Sequence, residues 1–152
     1  MKNTVLKYGL FGCVTGFLIF VLHLAFSKYF DFGTLEVLGY ISIFLSLSFI
    51  FFGIKHYRDK VNDGKISLGK AIIIGLLISV LVGIGIGIAD FIYTKFINPN
   101  FFDEYAQMLI NEGREDELME MTSFVAALFM IAIVTVIGFI ISLISGLILQ
   151  RK

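Results

Sequence analysis

Two groups of residues in this chain have the types and spacing for chemistry. The first is His23, Glu36 and Asp90, ionisable side chains set among long apolar runs. Ionisable groups at membrane depth are costly and mark function by default. At 1.5 Å per helical residue, His23 lies roughly 24 Å beyond Lys7 and Asp90 roughly 30 Å beyond Lys70. Glu36 opens the second apolar run on the same side. A histidine and two carboxylates near one depth can bind a cation or relay a proton. The plainer reading is stronger: both acids lie at a water boundary and His23 bonds a neighbour. No acid or base lies at mid-depth, where a proton-coupled carrier places its coupling group.

The second group is the polar segment 53–70, which carries Lys55, Arg58, Asp59, Lys60, Lys65 and Lys70. Its chemistry is anion recognition. Arg58 can make a bidentate contact that lysine cannot copy. The helix expected after Ser67 offers free N–H groups to the same anion. Lys55 and Asp59 are spaced as an i,i+4 pair on a continuing helix, while pairing with Arg58 or capping the next helix are the other roles open to Asp59. Asn62-Asp63-Gly64 reads as a turn, and Ser67 as a helix cap. The alternative is a solvated signal that only sets membrane orientation.

Other chemistry is excluded. Ser42, Ser46 and Ser48 have no base beside them and can bond their own helix backbone. Gly83-Ile84-Gly85-Ile86-Gly87 is not a dinucleotide loop, since no strand precedes it and the third spacing fails. Cys13 is the only cysteine, so no disulfide forms within the chain. No catalytic, metal-ligating or cofactor-holding set is expected, and the chain reads as a non-enzyme.

These groups are carried on four apolar segments, at about residues 8–26, 35–54, 71–92 and 124–149. Crossing a ~30 Å hydrocarbon core takes about 20 helical residues. Only helices and closed barrels span lipid, and these runs are too long and uniform for barrel strands. Of the 152 residues 58% are hydrophobic and 16% charged, with mean hydropathy +0.93. The expected fold is all-α: a four-helix integral membrane bundle forming a single domain over 1–152. A cleaved leader ending near Ala25-Phe26-Ser27 is the lesser reading of the first run, which is longer than such cores. The zero net charge argues against nucleic acid as a partner.

Lysine and arginine set the orientation. Lys2, Lys7, the five basic residues of segment 53–70, Arg151 and Lys152 all fall on one side of four spans. Only Lys28, Lys95 and Arg114 fall on the other. Both termini are therefore expected on the cytoplasmic side, in a multi-pass protein of the cytoplasmic (inner) membrane. Phe26-Ser27-Lys28-Tyr29 and Tyr93-Thr94-Lys95-Phe96 mark the outer boundary as aromatic anchors. Their likeness is a faint repeat, better explained by independent anchoring.

The second outer loop is expected to hold an amphipathic helix over 99–112, with Asn98 as cap and Pro99 at its first position. Phe101, Phe102, Tyr105, Met108 and Leu109 form its apolar face, and Gly113 stops it. Residues 115–120 are expected to continue as helix into the last span. Small residues recur every four positions: Gly75, Ser79, Gly83 and Gly87; Gly138, Ser142 and Gly146; Gly12 and Gly16. Such stripes let helices approach closely in lipid.

At the basic segment the chain resembles a known family. Its Gly-Ile-Lys-x-Tyr-Arg-Asp core at Gly53–Asp59 and its Gly-Lys-Ile-Ser-Leu-Gly-Lys-Ala end at Gly64–Ala71 resemble the domain-of-unknown-function 4199 family. The resemblance implies a small bacterial four-helix inner-membrane protein and supplies no activity. Phe96-Ile97-Asn98-Pro99-Asn100-Phe101 is similar to the family's segment after the third span, where Asp-Pro-Asp is usual. Asn98 and Asn100 lack those charges. The leading function is a non-enzymatic structural or interaction protein, and the alternative is a small transporter or channel component. Expected partners are the lipid bilayer, anionic headgroups, and a membrane protein or a second copy. A transporter should show a polar path through the helices; an interaction protein should show a dry core.

Overall fold

The computed structural model describes residues 1–151. Five α-helices follow one another: α1 (Lys2–Ala25), α2 (Phe32–His56), α3 (Leu68–Ile92), α4 (Phe101–Asn111) and α5 (Ser123–Leu149). All but α4 are long and apolar enough to cross a membrane. Among the described residues there is no strand, only a single antiparallel bridge between Ile66 and Arg151.

Local signals set the helix starts. Asp31 accepts from the Thr34 amide at 2.7 Å and opens α2. Hydrogen bonding by the Thr34 side chain, and then by this amide, holds the Asp31 carboxyl below the usual carboxylate range. Ser67 does the same for α3, accepting from Lys70 N at 3.4 Å, and Thr122 for α5, from Val125 N at 3.2 Å. Each oxygen satisfies one of the amides a helix start leaves unpaired. Gly113 (φ 70°) ends α4: its own amide reaches Ile110 O at 3.1 Å and the Arg114 amide reaches Leu109 O at 2.9 Å. This is the Schellman pattern, which needs a left-handed residue.

Three local expectations are corrected. Asn98 does not cap α4, and Pro99 is not its first residue. The Asn98 carbonyl accepts from Phe101 N at 3.1 Å, so 98–101 is a turn ahead of the helix; the fixed φ of Pro99 suits the second position of such a turn. Residues 115–120 do not run on into the last span. A short 3₁₀ turn, Glu115–Glu117, is pinned by Arg114, which bonds Glu117 at 2.7 Å and Glu112 at 3.0 Å. These bonds raise the Arg114 pKa further and hold Glu117 below the usual range. Finally, Asp59 pairs with Arg58 at 2.6 Å rather than with Lys55. After His56 the chain widens into a π turn, Tyr57–Val61, which moves Asp59 off the i,i+4 row of Lys55.

α3 is central and packs against α1, α2 and α5. Leu47, Ile50 and Ile54 of α2, Ile74, Ile78, Val82 and Ile86 of α3, and Val134 of α5 are fully buried. The outward faces are apolar too, as at Leu18 and Leu22 of α1 and Ile144 and Ile148 of α5. Such a surface suits lipid rather than water.

Glycines fix how closely the helices approach. On α3 and α5, Gly75 makes room for Ser142, and Gly138 makes room for Ser79. Gly83 and Gly87 face the backbone of Ile131 and Ala127, and Gly146 faces Leu68 and Ala71. On the other side of α3, Leu81, Val82 and Ile86 press into Gly9, Gly12 and Gly16 of α1. Gly85 lies against the backbone of Cys13. Close backbone approach of this kind holds apolar helices together where the hydrophobic effect between them is absent.

Candidate functional site

The helices leave two polar ends. At the basic end, the loop after α2 folds against the end of α5. Ile66 N donates to Arg151 O at 2.9 Å and Arg151 N to Ile66 O at 3.0 Å. Asp63 and Gly64, both at positive φ, turn the chain there. Arg58 is only 9% exposed. Its Nη1 donates to Leu149 O at 3.3 Å and its Nε to Asp59 at 2.6 Å. The guanidinium therefore sits inward, on a carbonyl at the end of α5, where a positive charge also suits the helix dipole. Lys55, Lys60, Lys65 and Lys70 remain exposed, Lys70 over the Tyr57 ring at 5.5 Å. The segment is thus divided between one buried clasp and four solvated cations.

At the other end, α4 lies across the helices as a roof. Phe101 fastens it, with ring centroids 6.0 Å from Phe32 of α2 and 5.8 Å from Tyr93 beyond α3. Tyr105 packs on Phe32 at 5.7 Å. Ser27 and Tyr93 join the ends of α1 and α3 through a 2.5 Å hydroxyl bond, so the two similar aromatic anchors meet. Beneath the roof is a cavity of about 380 Å³. His23 lines it from α1, Glu36 from α2 and Asp90 from α3. Three residues far apart in sequence are thus brought to one space. Phe101, Phe102, Tyr105 and Met108 of α4 line it too, with Phe20, Tyr40, Glu112 and Arg114.

The arrangement is not a metal centre by geometry. Among the described residues, no three His, Cys, Asp or Glu side chains gather at ligand spacing. His23 instead packs edge-on against Phe20 at 4.6 Å, with Nδ1 3.5 Å from Ser42 Oγ. Ser42 gives its proton to Leu38 O at 2.7 Å. Its oxygen can therefore only accept from His23.

A family model described as "Protein of unknown function (DUF4199)" matches residues 7–151. The chain belongs to this family. The matched stretch of this DUF4199 protein contains the basic loop, the 96–101 motif and the roofed cavity alike. No curated protein and no solved structure matches the chain.

Sequence reasoning places His23, Glu36 and Asp90 near one depth but misses Phe20, Tyr40, Glu112 and Arg114 as their neighbours. The sequence does not single out Phe20 and Tyr40, because an all-apolar helix gives no pattern that separates its faces. The signal for Arg114 was present: it is flanked by Glu112 and Glu117 directly after the helix-stopping Gly113.

Proposed function

We propose that this is a multi-pass protein of the cytoplasmic membrane, with both termini and the basic loop inside, which acts by binding rather than catalysis. The Lys/Arg imbalance supports the orientation. The placement of the ends supports it as well. Tyr8 near the start of α1 lies 5.4 Å from His56 at the end of α2, ring to ring, and Ile66 is bridged to Arg151. The basic groups before α1, after α2 and after α5 therefore share one end. With Lys60→Cys and Asp116→Cys placed singly in a Cys13→Ala background, an impermeant maleimide added to intact cells should label only Asp116→Cys. Labelling of both from outside overturns the orientation.

One observation favours binding over transport: the buried layer between the two polar ends is largely aliphatic. At its centre three fully buried serines spend their hydroxyls on their own helices. Ser46 donates to Ser42 O at 2.7 Å, Ser79 to Leu76 O at 2.8 Å and Ser142 to Gly138 O at 2.5 Å. A carrier or channel needs polar groups free along a path. Recognition then belongs to the two ends: the roofed cavity outside, and the exposed lysines inside, which suit anionic headgroups. A photoreactive residue at Met108 or at Lys60, activated in native membranes, tests this. Met108 should capture one small molecule or lipid of defined mass, and Lys60 anionic lipid in excess of its abundance. Capture of bilayer lipids in simple proportion at both positions overturns the reading.

A further inference from the structure

The wall of the cavity beneath α4 contains a carboxyl oxygen that its surroundings leave without a partner. Asp90 Oδ2 is shut off from the surface and has no hydrogen-bond partner among the described residues. Buried polar atoms are nearly always paired, and an exception asks for an explanation. The one cation in the lining does not supply one, since Arg114 is already bonded to Glu112 and Glu117 at 3.0 and 2.7 Å. Glu36, the second carboxylate on the wall, takes part in none of the ion pairs among the described residues. His23 is held against Phe20 and Ser42. The wall therefore carries two carboxyl groups, from α2 and α3, with no cation paired to either among the described residues.

The rest of the lining is mostly apolar and includes aromatic rings, among them Phe20 of α1, Tyr40 of α2, and Phe101 and Tyr105 of α4. Ring faces attract cations, most strongly where water is excluded. A volume of about 380 Å³ lies within the range of small-molecule sites, about 300–1,000 Å³. An anion would meet two carboxylates, and a bare metal ion would meet rings in place of ligands. We propose that this cavity binds an organic cation, an amine or quaternary ammonium with an apolar body. Its charge sits against Asp90 and its body against the rings of α4. The proposal rests on the reading of this end as a binding site and adds the chemical class of the ligand.

Phenyltrimethylammonium and tert-butylbenzene form a suitable pair of probes, with nearly the same shape and different charge. Isothermal titration of the full chain in an uncharged maltoside detergent should show saturable binding of phenyltrimethylammonium, which tert-butylbenzene displaces poorly. Asp90→Asn should weaken that binding by about tenfold or more, as expected when an enclosed cation loses its counter-charge. Asp90→Glu should restore part of it. If Asp90→Asn does not elute as folded protein, Glu36→Gln serves instead and should weaken binding by a smaller factor. Three results overturn the proposal: no saturable binding by wild type, equal binding by the folded charge-neutral variant, or equal competition by tert-butylbenzene. The last of these discards the cation and leaves the binding site in place. Loss of the binding reading itself would show separately, as unselective capture at Met108.

Discussion

Gly85→Ala should destabilise the protein by about 1–3 kcal/mol, although it adds a single methyl group. In an exposed helix interior the same change is favourable by roughly 0.5–1 kcal/mol. The sign reverses here because a Cβ on Gly85 would run into the carbonyl oxygen of Cys13 and come within 2.8 Å of its Sγ. The obstacle is largely backbone, so no rotamer change clears it, and α1 must move off α3. That movement would also loosen the contacts of Val82 with Gly12 and Ile86 with Gly16. Gly85→Leu should go further and prevent recovery of monodisperse protein. Gly69→Ala is the matched control, because a Cβ there meets nothing within 4 Å. The chain has no tryptophan, so the readout is the fraction surviving on size exclusion after heating in detergent. Equal survival of Gly85→Ala, Gly69→Ala and wild type would show that α1 and α3 are not held at backbone contact.

Gly85 also marks how far the sequence could be read. A four-residue repeat picks out Gly75, Ser79, Gly83 and Gly87, the face of α3 turned to α5. Gly85 is out of phase with that row and serves the opposite face, against α1. A central helix in lipid needs two packing faces, and one spacing rule reports only one of them. The four long helices were legible because lipid demands unbroken apolar length, and the chain shows it directly. The end of α4 was legible because only glycine adopts the left-handed stop cheaply. What followed Gly113 was not, since Arg114 draws Glu112 and Glu117 to itself and local charge pairing overrides helix propensity. The candidate site divides the same way. Depth along a helix could be counted, so His23, Glu36 and Asp90 could be placed near one level. Rotation about a uniformly apolar helix could not, so Phe20 and Tyr40 stayed hidden, whereas Phe101, Phe102 and Tyr105 were legible from the amphipathic spacing of α4.

Arg58→Gln should release the basic loop from the end of α5. Leu149 O is one of the last carbonyls of α5, which a helix end leaves without partners. Arg58 Nη1 reaches it from the loop at 3.3 Å while Nε holds Asp59 at 2.6 Å. Glutamine is shorter and uncharged, and it cannot serve both. The paired amides of Ile66 and Arg151 depend on that docking. Their hydrogen exchange should rise by roughly tenfold, since local opening there no longer has to break the clasp. Arg58→Lys should fall between the two, because a single ammonium keeps the charge and loses the planar fork. Lys60→Gln should leave exchange unchanged, since Lys60 is exposed and takes part in no ion pair among the described residues. Exchange mass spectrometry over 57–66 and 147–151 separates these variants. Undiminished protection in Arg58→Gln would mean that the backbone bridge alone holds the loop. Arg58 would then be free to turn outward and join the lysines at the lipid surface.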